Sequence, residues 1–377
     1  MSQLDLDALK KEARRKNTSY ERLRELAGMD EALSRMIAKS KKTPPKLLEE
    51  LARSGDMPTR RAVAANENTD VAVLEQLAGD QQWTVLKSLA RNPNTPDKVL
   101  LQLAKHKQYT VREALVMRGV DGLNMPRNLV DTLVQDDHEK VRFSLIWYAQ
   151  YLPLQHKDYE VLATQSSVEN RRYLMVNASP YCVTWPTSLW EQVMKDEDDV
   201  VREHVVRRGG GDAGLFKDDD YLDHFANDDA QSVRAAVGYY LKDRPDLTQK
   251  FLNDPCADVK LSICRHADVE MWQQLANDPD PAVRAGLAQY HAAQNVHKLT
   301  LDDWLKLARD EDVSVRLGFT DAYEILPEIA SVLVSDESEE VRLALAKSNN
   351  SSLPKDVVIQ LAREGNVDIR HAVLQHQ

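Results

Sequence analysis

Residues 91–119, RNPNTPDKVLLQLAKHKQYTVREALVMRG, form one repeating unit of this chain. Thr95 as an N-cap and Pro96 in the first turn are typical of the start of a helix. The run KVLLQLAKH then repeats its apolar residues at the spacing of one helical face, and VREAL gives a shorter second stripe. The unit therefore predicts two short helices, helix A and helix B, joined by a tight turn.

The same unit recurs along almost the whole chain. Its signature is an acidic residue, four further positions, an aliphatic residue and a basic residue, as from Asp136 to Arg142. We call the position of the basic residue the basic slot. When the copies are aligned, successive slots lie 24 to 32 residues apart, and eleven of the thirteen slots hold Arg or Lys. A period of this size is typical of solenoids, in which each unit buries its apolar face only against its neighbours. The slots are Ser34, Arg60, Leu86, Arg112, Arg142, Arg171, Arg202, Arg234, Lys260, Arg284, Arg316, Arg342 and Arg370.

This periodicity predicts an all-α fold, a right-handed α-solenoid of about thirteen two-helix repeats. We expect residues 1–377 to form a single elongated domain with four parts. Residues 1–17 form a capping helix, 18–119 the regular 26-residue repeats, 120–243 longer repeats rich in aromatic and acidic residues, and 244–377 the C-terminal repeats. The A helices are expected at residues 18–28, 43–53, 69–79, 95–105, 125–135, 154–165, 186–196, 217–227, 244–253, 268–277, 300–309, 325–335 and 353–363.

The charged positions of the signature have a structural explanation. The acid lies where helix B begins, so its carboxylate can accept hydrogen bonds from the free amide groups there. The basic side chain can reach the acid of its own or the adjoining repeat. We expect a ladder of charge pairs rather than a phosphate-binding stripe, which would need unpaired arginines. The ladder residues are Arg112, Arg142, Arg202, Arg234, Arg284, Arg316 and Arg342 with Asp136, Asp196, Asp228, Asp310 and Asp336.

Two consecutive runs carry a family resemblance. AVAANENTDVAVLEQLAGD (62–80) and LARNPNTPDKVLLQLAKH (89–106) resemble the bacterial variant leucine-rich repeat, a two-helix unit similar in shape to HEAT repeats. The match is close over residues 43–119, and elsewhere it covers only the Asp-Val-Arg and helix pattern. The resemblance implies an all-helical superhelix and no single activity. Some relatives carry an N-terminal cysteine cluster for an iron–sulfur centre, but the first cysteine here is Cys182.

The composition of the chain indicates what kind of partner it binds and in which cellular compartment it is found. The net charge is −11, whereas a duplex-DNA binder generally needs a basic stripe, so we expect a basic protein partner rather than nucleic acid. The chain has no apolar run of 18 residues, no apolar signal segment at its N-terminus, and three cysteines without CxxC spacing. These features predict no membrane span, no metal or other cofactor, and a cytoplasmic location. They give no indication of the oligomeric state.

The longer repeats hold the candidate binding residues. Nine of the 23 aromatic residues of the chain fall within 48 residues, from Phe143 to Trp190. Aromatic residues are common at binding hot spots, although longer repeats could also need them as core fillers. Acidic residues beside them are surplus to the ladder, either as solvated turns or as a docking surface. The predicted partner-binding residues are Trp147, Tyr148, Tyr151, Trp185, Trp190, Asp198, Asp199, Asp218 and Asp219.

We therefore expect a non-catalytic scaffold that binds a basic protein on its concave face, possible forms being an inhibitor or an immunity protein. No HExxH, GxSxG or comparable motif appears, so no catalytic residue is predicted. The alternative is a DNA-binding repair protein. Helical-repeat alkylpurine DNA glycosylases, which resemble this chain, hold damaged DNA with Trp, Asp and Arg. Here Trp147, Trp185, Asp136 and Arg142 would have to supply that group.

Overall fold

The computed structural model of the protein shows an all-helical chain. About 70% of it is helix, and no strand occurs in the part that the structure describes. The helices form two compact units, Met1–Lys195 and Asp196–Gln377. The described residues are 3–15, 17–177, 185–211, 219–290, 296–322, 325–348 and 353–375.

In the first unit, short helices alternate between two sets. From α3 to α13 each odd-numbered helix packs on the next odd-numbered one, and among the even-numbered helices α4 packs on α6, α8 on α10, α10 on α12 and α12 on α14. Contacts are therefore local along the chain, and α1 covers α2 and α3 at the N-terminal end. The helices are α1 (Gln3–Ala13), α2 (Tyr20–Met29), α3 (Glu31–Lys39), α4 (Pro45–Ser54), α5 (Met57–Ala65), α6 (Val71–Leu77), α7 (Trp83–Ala90), α8 (Asp97–Leu103), α9 (Tyr109–Val120), α10 (Arg127–Val134), α11 (Glu139–Trp147), α12 (His156–Gln165), α13 (Val168–Asn177) and α14 (Thr187–Val193), with a 3-10 turn at Ala149–Tyr151.

The second unit repeats this pattern. Its odd-numbered helices pack in sequence from α15 to α27. Short 3-10 turns lie at Gly238–Tyr240, Ile263–Arg265, Val296–Lys298 and Phe319–Asp321. The helices are α15 (Asp199–Gly211), α16 (Asp219–Phe225), α17 (Gln231–Val237), α18 (Pro245–Leu252), α19 (Ala257–Ser262), α20 (Val269–Ala276), α21 (Pro281–Gln289), α22 (Leu301–Leu307), α23 (Val313–Gly318), α24 (Pro327–Leu333), α25 (Glu339–Lys347), α26 (Lys355–Ala362) and α27 (Val367–Gln375).

A helix lies at each of the thirteen positions expected for a helix A, and it begins one or two residues later than expected. The unit at Thr95 shows why. Pro96 is the N-cap residue, with φ −70° and ψ 150°, and Asp97 is the first helical residue. The Thr95 hydroxyl instead donates to the Leu89 carbonyl at 2.6 Å, so it closes the preceding helix. The prediction that Thr95 is the N-cap was therefore wrong.

Buried side chains also join the ends of consecutive odd-numbered helices. The Asn92 amide donates to the carbonyls of Ala64 and Asn66, both at 2.9 Å. In the next unit Arg118 takes this role and donates to the Asn92 carbonyl at 2.6 Å and the Asn124 carbonyl at 2.8 Å. Arg118 is buried, and burial lowers its pKa. These bonds satisfy carbonyl groups that a helix end leaves without partners.

The side chains at the basic slots link neighbouring two-helix units, within each compact half of the chain, through charge pairs. Arg112 donates from Nη1 to the His106 carbonyl at 2.7 Å, and from Nε and Nη2 to the Asp136 carboxylate at 2.6 and 2.7 Å. The same carboxylate accepts the His138 amide at the start of α11, at 2.9 Å. One guanidinium therefore joins the turn between helices A and B of its own two-helix unit to the same turn of the next. The same arrangement occurs at Arg60–Asp80, Arg202–Asp228, Arg234–Asp254, Arg284–Asp310, Arg316–Asp336 and Arg342–Glu364, and Lys260 pairs with the Asp278 carboxylate.

Arg142 is the irregular member of this series. The position six residues before the following slot holds Gln165, so the adjoining unit supplies no acid. Arg142 donates instead to the Asp136 carbonyl and pairs with Glu139 on its own helix. Its Nε is buried without a partner among the described residues. Asp196, at the start of the second unit, accepts the Asp198 amide at 3.0 Å.

The ladder carboxylates make folding sensitive to acid. Burial alone would raise the pKa of Asp228, but hydrogen bonds from Arg202 and from the Ala230 amide outweigh it, so the pKa is lowered. The pKa values of Asp254 and Asp310 are lowered in the same way. A carboxylate with a lowered pKa stabilises the fold above its unfolded pKa of about 3.9, and this stabilisation is lost as the pH falls through the folded pKa.

We therefore expect the urea midpoint of unfolding to fall steeply below about pH 4. Asp228→Asn should lower the midpoint at pH 7 and weaken its dependence on pH, because one of the titrating groups is gone. Circular dichroism at a series of pH values measures both effects. A variant with the same pH dependence as the parent would contradict this role of Asp228.

Candidate functional site

The fifth residue after each basic slot is a surface position. All thirteen such residues are described; twelve are exposed, and Met117 is half-buried. The apolar stripe of the odd-numbered helices faces inward, so a residue at this register is turned away from the core. Most of the exposed positions hold polar or small residues, but three of them, near the middle of the chain, hold large apolar residues: Trp147, Val176 and Tyr239. This register identifies surface aromatic residues that composition alone does not distinguish from core residues.

Three rings form the aromatic cluster, defined as Phe143 and Trp147 on α11 with Tyr173 on α13. The Trp147 ring stacks on Tyr173, with centroids 4.9 Å apart and planes inclined by 16°. Phe143 lies 5.6 Å from Trp147 and meets Tyr173 edge-on at 5.1 Å. Trp147 is 49% exposed, and burial raises the pKa of Tyr173. The cluster therefore holds a large apolar face at the surface in a fixed geometry.

The helices that carry the cluster are anchored beneath it. Leu145 and Ile146 of α11 are buried, and Ser144 donates from its hydroxyl to the Lys140 carbonyl at 2.9 Å. The same hydroxyl lies 3.3 Å from a carboxylate oxygen of Glu113 on α9. An acidic side chain therefore contacts the helix that carries Trp147.

The other predicted aromatic residues are divided between surface and core. Tyr151 is 58% exposed and Tyr148 is half-buried. Trp185 and Trp190 are each only 6% exposed; their ring centroids are 5.0 Å apart, and Tyr159 packs on Trp185. These two tryptophans fill the core beside α14, so they offer almost no surface to a partner. This corrects their placement in the binding surface.

The predicted acidic residues have a local structural role. The Asp198 carboxylate accepts the Val201 amide at 3.1 Å, and the Asp199 carboxylate accepts the Val200 amide at 3.0 Å. Both therefore satisfy amide groups at the start of α15, where negative charge is favourable. Asp218 and the side chain of Asp219 lie outside the described residues.

The second unit contains a groove that the sequence prediction missed. It has a volume of about 390 Å³, and two half-exposed tyrosines, Tyr239 and Tyr290, line it. Glu203 and Asp258 contribute acidic groups to its wall, and Arg207 a basic one. Arg207 is paired with Glu203 at 2.8 Å, so the groove has mixed charge. Tyr239 is the fifth residue after its slot, so the register described above would have found it, whereas Tyr290 is the sixth residue after its slot and falls outside that register.

The residues that a glycosylase-like site would need are engaged elsewhere. Asp136 is bonded to Arg112, and Arg142 is paired with Glu139. Trp185 lies in the core, so Trp147 alone is exposed.

The described residues show neither a cluster of metal ligands nor a membrane-spanning helix. No group of three or more His, Cys, Asp or Glu side chains there is placed to hold a metal ion. None of the helices in the described ranges is both long enough and apolar enough to cross a membrane. Cys264 is buried, and burial raises its pKa to about 12, so this thiol stays protonated at neutral pH.

Comparison with known proteins gives no family. No protein-family model matches the chain, and no curated protein matches it. Among solved structures, a similar chain is that of an engineered protein, at 12% identity and a TM-score of 0.27, with 100% of this chain and 98% of that chain covered. This likeness is too weak to transfer any property.

Proposed function

We propose that the chain is a non-catalytic scaffold, a solenoid of two-helix repeats similar to variant leucine-rich and HEAT-like repeats, that binds a protein partner. The repeat proposal is supported by the packing of each odd-numbered helix on the next and by the recurring charge pairs. A solenoid of this kind presents an extended binding surface rather than a catalytic pocket.

The aromatic cluster is the observation that carries the binding proposal. Trp147 leaves about half of its surface to solvent although its neighbours on α11 are buried. Stacking on Tyr173 fixes the ring before binding, so little side-chain entropy would be lost on association. Tryptophan and tyrosine, with arginine, are the residues enriched at the energetic centre of protein interfaces.

Charge supports a basic partner. The chain carries a net charge of −11, and the basic slot side chains are largely used in pairs within the fold. The electrostatic potential of the chain is therefore negative, and a negative potential speeds association with a positively charged surface. We infer that the partner is a basic protein met in the bacterial cytoplasm, and that covering its basic surface makes the chain an inhibitor or an immunity protein.

A matched pair of tryptophan variants tests the proposal. Trp147→Ala should weaken partner binding about 10-fold or more, because an interface tryptophan typically contributes ~1.4 kcal/mol or more. Trp83→Ala is the control: Trp83 is also exposed, at 42%, but Lys87 covers its ring at 5.6 Å and it lies outside the cluster. The amount of partner that each variant captures from a lysate of the source organism, with and without nuclease, measures the effect of both substitutions.

Equal capture by the two variants would remove the aromatic cluster from the interface. Captured material that disappears after nuclease treatment would favour nucleic-acid binding, as expected of a DNA-repair protein, over a protein partner.

A further inference from the structure

The first compact unit contains a cavity of about 330 Å³ between the link that joins α1 to α2 and the link that joins α3 to α4. Each link contributes polar side chains to the lining, and helices α2 and α3 contribute apolar ones. A molecule in this cavity would therefore contact both links at once. The polar lining residues are Arg14, Arg15 and Thr18 of the first link and Ser40, Lys42 and Thr43 of the second.

The lining of this cavity carries three positive charges and no acidic residue. Among the described residues, Arg14, Arg15 and Lys42 form no ion pair. The Glu12 carboxylate interacts with the charge of Arg15 without direct contact, but it is already bonded to Arg22 at 2.7 and 3.1 Å. The positive charge of the cavity is therefore largely uncompensated within the fold.

The sequence around the cavity is basic, in contrast to the rest of the chain. Residues 1–55 hold 13 Lys and Arg against 9 Asp and Glu, whereas the whole chain has a net charge of −11. A basic region of this kind attracts an anion.

The hydroxyl groups of the lining leave one donor for a ligand. Thr18 donates to the Glu12 carbonyl at 2.8 Å, and Thr43 donates to a carbonyl of α3, so these two hydroxyls fix the links to the helices before them. The Ser40 hydroxyl oxygen accepts the Lys42 amide at 3.2 Å. No hydrogen bond among the described residues uses the Ser40 hydroxyl proton, which is therefore available to an oxygen atom of a ligand.

The floor of the cavity is apolar. Leu23 of α2 and Ile37 of α3 are buried, and Met36 of α3 is half-buried. Each of these side chains would lose solvent contact if an apolar group covered it, which is favourable by about 25 cal/mol per Å². The cavity therefore combines a cationic rim with an apolar floor.

We propose that this cavity binds a phosphate monoester with an apolar body, its phosphate held by Arg14, Arg15 and Lys42 and its body covering the apolar floor. A monoester carries a charge of about −2 at neutral pH, which matches three cations better than the single charge of a carboxylate or a phosphodiester. Guanidinium groups bind phosphate oxygens in pairs, and an ammonium group adds a point charge. The inference does not rest on the proposed function, since the cavity and the aromatic cluster involve different helices.

Phenyl phosphate is the probe. Methyl phenyl phosphate, a diester with the same ring and one charge fewer, is the control for charge, and inorganic phosphate is the control for the apolar body. Met36 lines the cavity, so its methyl group reports binding in a full-length chain labelled with ¹³C at the methionine methyl groups. Phenyl phosphate should shift the Met36 signal saturably and leave that of Met271, on α20 in the second unit, unchanged. Both controls, measured by competition, should bind several-fold more weakly.

Three variants locate the site. Lys42→Gln and Arg15→Gln should each weaken phenyl phosphate several-fold, because each removes one of the three charges. Lys41→Gln is the matched control: Lys41 is the neighbour of Lys42 in the sequence, lies outside the lining and pairs with Glu67 at 3.1 Å, so the affinity should be unchanged. All three side chains are exposed, so each variant should keep the melting temperature of the parent within ~2 °C.

The inference is overturned if Met36 does not respond to phenyl phosphate, if either control binds as tightly as the probe, or if Lys42→Gln and Arg15→Gln bind the probe as Lys41→Gln does. A saturable shift that both variants weaken would establish the site, whether or not partner capture depends on Trp147.

Discussion

Replacing Arg112 by methionine is expected to lower the free energy of unfolding by about 3–5 kcal/mol, the cost of breaking a buried ion pair. Arg112 is 8% and Asp136 6% exposed, so the remaining carboxylate would stay buried with the His138 amide and without its counter-charge. The His106 carbonyl would lose its donor as well. Urea unfolding followed by circular dichroism measures the change.

Two further variants separate this effect from a general cost of losing arginine. Arg53→Met removes an exposed pair with Glu49, in which the side chains are 62% and 41% exposed, and should cost no more than ~0.5 kcal/mol. Arg112→Met combined with Asp136→Leu removes both charges and should be more stable than Arg112→Met alone. If Arg112→Met costs no more than Arg53→Met, the charge pairs do not hold neighbouring units together.

Gly318→Ala is expected to destabilise the second unit by about 2 kcal/mol, a typical cost of overpacking. A Cβ at Gly318 would lie 2.5 Å from the Ala285 carbonyl oxygen and 3.1 Å from the Ala288 Cβ on α21. Because the nearest atom belongs to the backbone, no rotamer change relieves the contact, and α21 and α23 would have to separate. The melting temperature measures the loss.

Gly28→Ala is the matched control. Gly28 lies in α2, and a Cβ there meets nothing within 4 Å, so alanine should be neutral or stabilising by up to ~1 kcal/mol. The two alanine substitutions should therefore shift the melting temperature in opposite directions or, at least, by clearly different amounts. A small effect at Gly318 would contradict the close packing of α21 on α23.

The helical architecture follows well from the sequence, because its signals are local. The A-helix positions could be predicted from apolar spacing and from the Thr-Pro, Met-Pro, Trp-Pro and Leu-Pro pairs. Helix starts were displaced because a proline before a helix suits the N-cap as well as the first turn; Pro96 and Pro354 both take the N-cap position. Propensity alone does not distinguish these two positions.

The candidate site was harder to predict, because exposure depends on the direction in which a helix face points. Helical spacing shows that Trp147 and Tyr151 are four residues apart, but it does not show which aromatic residues are buried. Trp190 looked equivalent and lies in the core. Counting five residues from the basic slot separates them, since Arg142 places Trp147 at an exposed register.

The groove in the second unit depends on packing between helices and has no local signal. Gly286 and Leu261 both line it, and a Cβ on Gly286 would lie 2.2 Å from the Leu261 side chain, so glycine allows α19 and α21 to pack closely here. Glycine at this position is visible in the sequence, but the neighbour it accommodates is not. Similarly, Asp198 and Asp199 looked surplus until the start of α15 was located.

Photo-crosslinking from position 151 tests the central claim, that the aromatic cluster binds a protein, most directly. Tyr151 is exposed and follows Trp147 by four residues without belonging to the cluster, so p-benzoylphenylalanine there leaves Trp147 intact. The control position is Leu374, which is 74% exposed and lies in the second unit. Both chains are irradiated in a lysate of the source organism. The account predicts one protein adduct from position 151 that resists nuclease, is absent from position 374 and is lost with Trp147→Ala. An adduct that persists in Trp147→Ala, or no adduct specific to position 151, would contradict it.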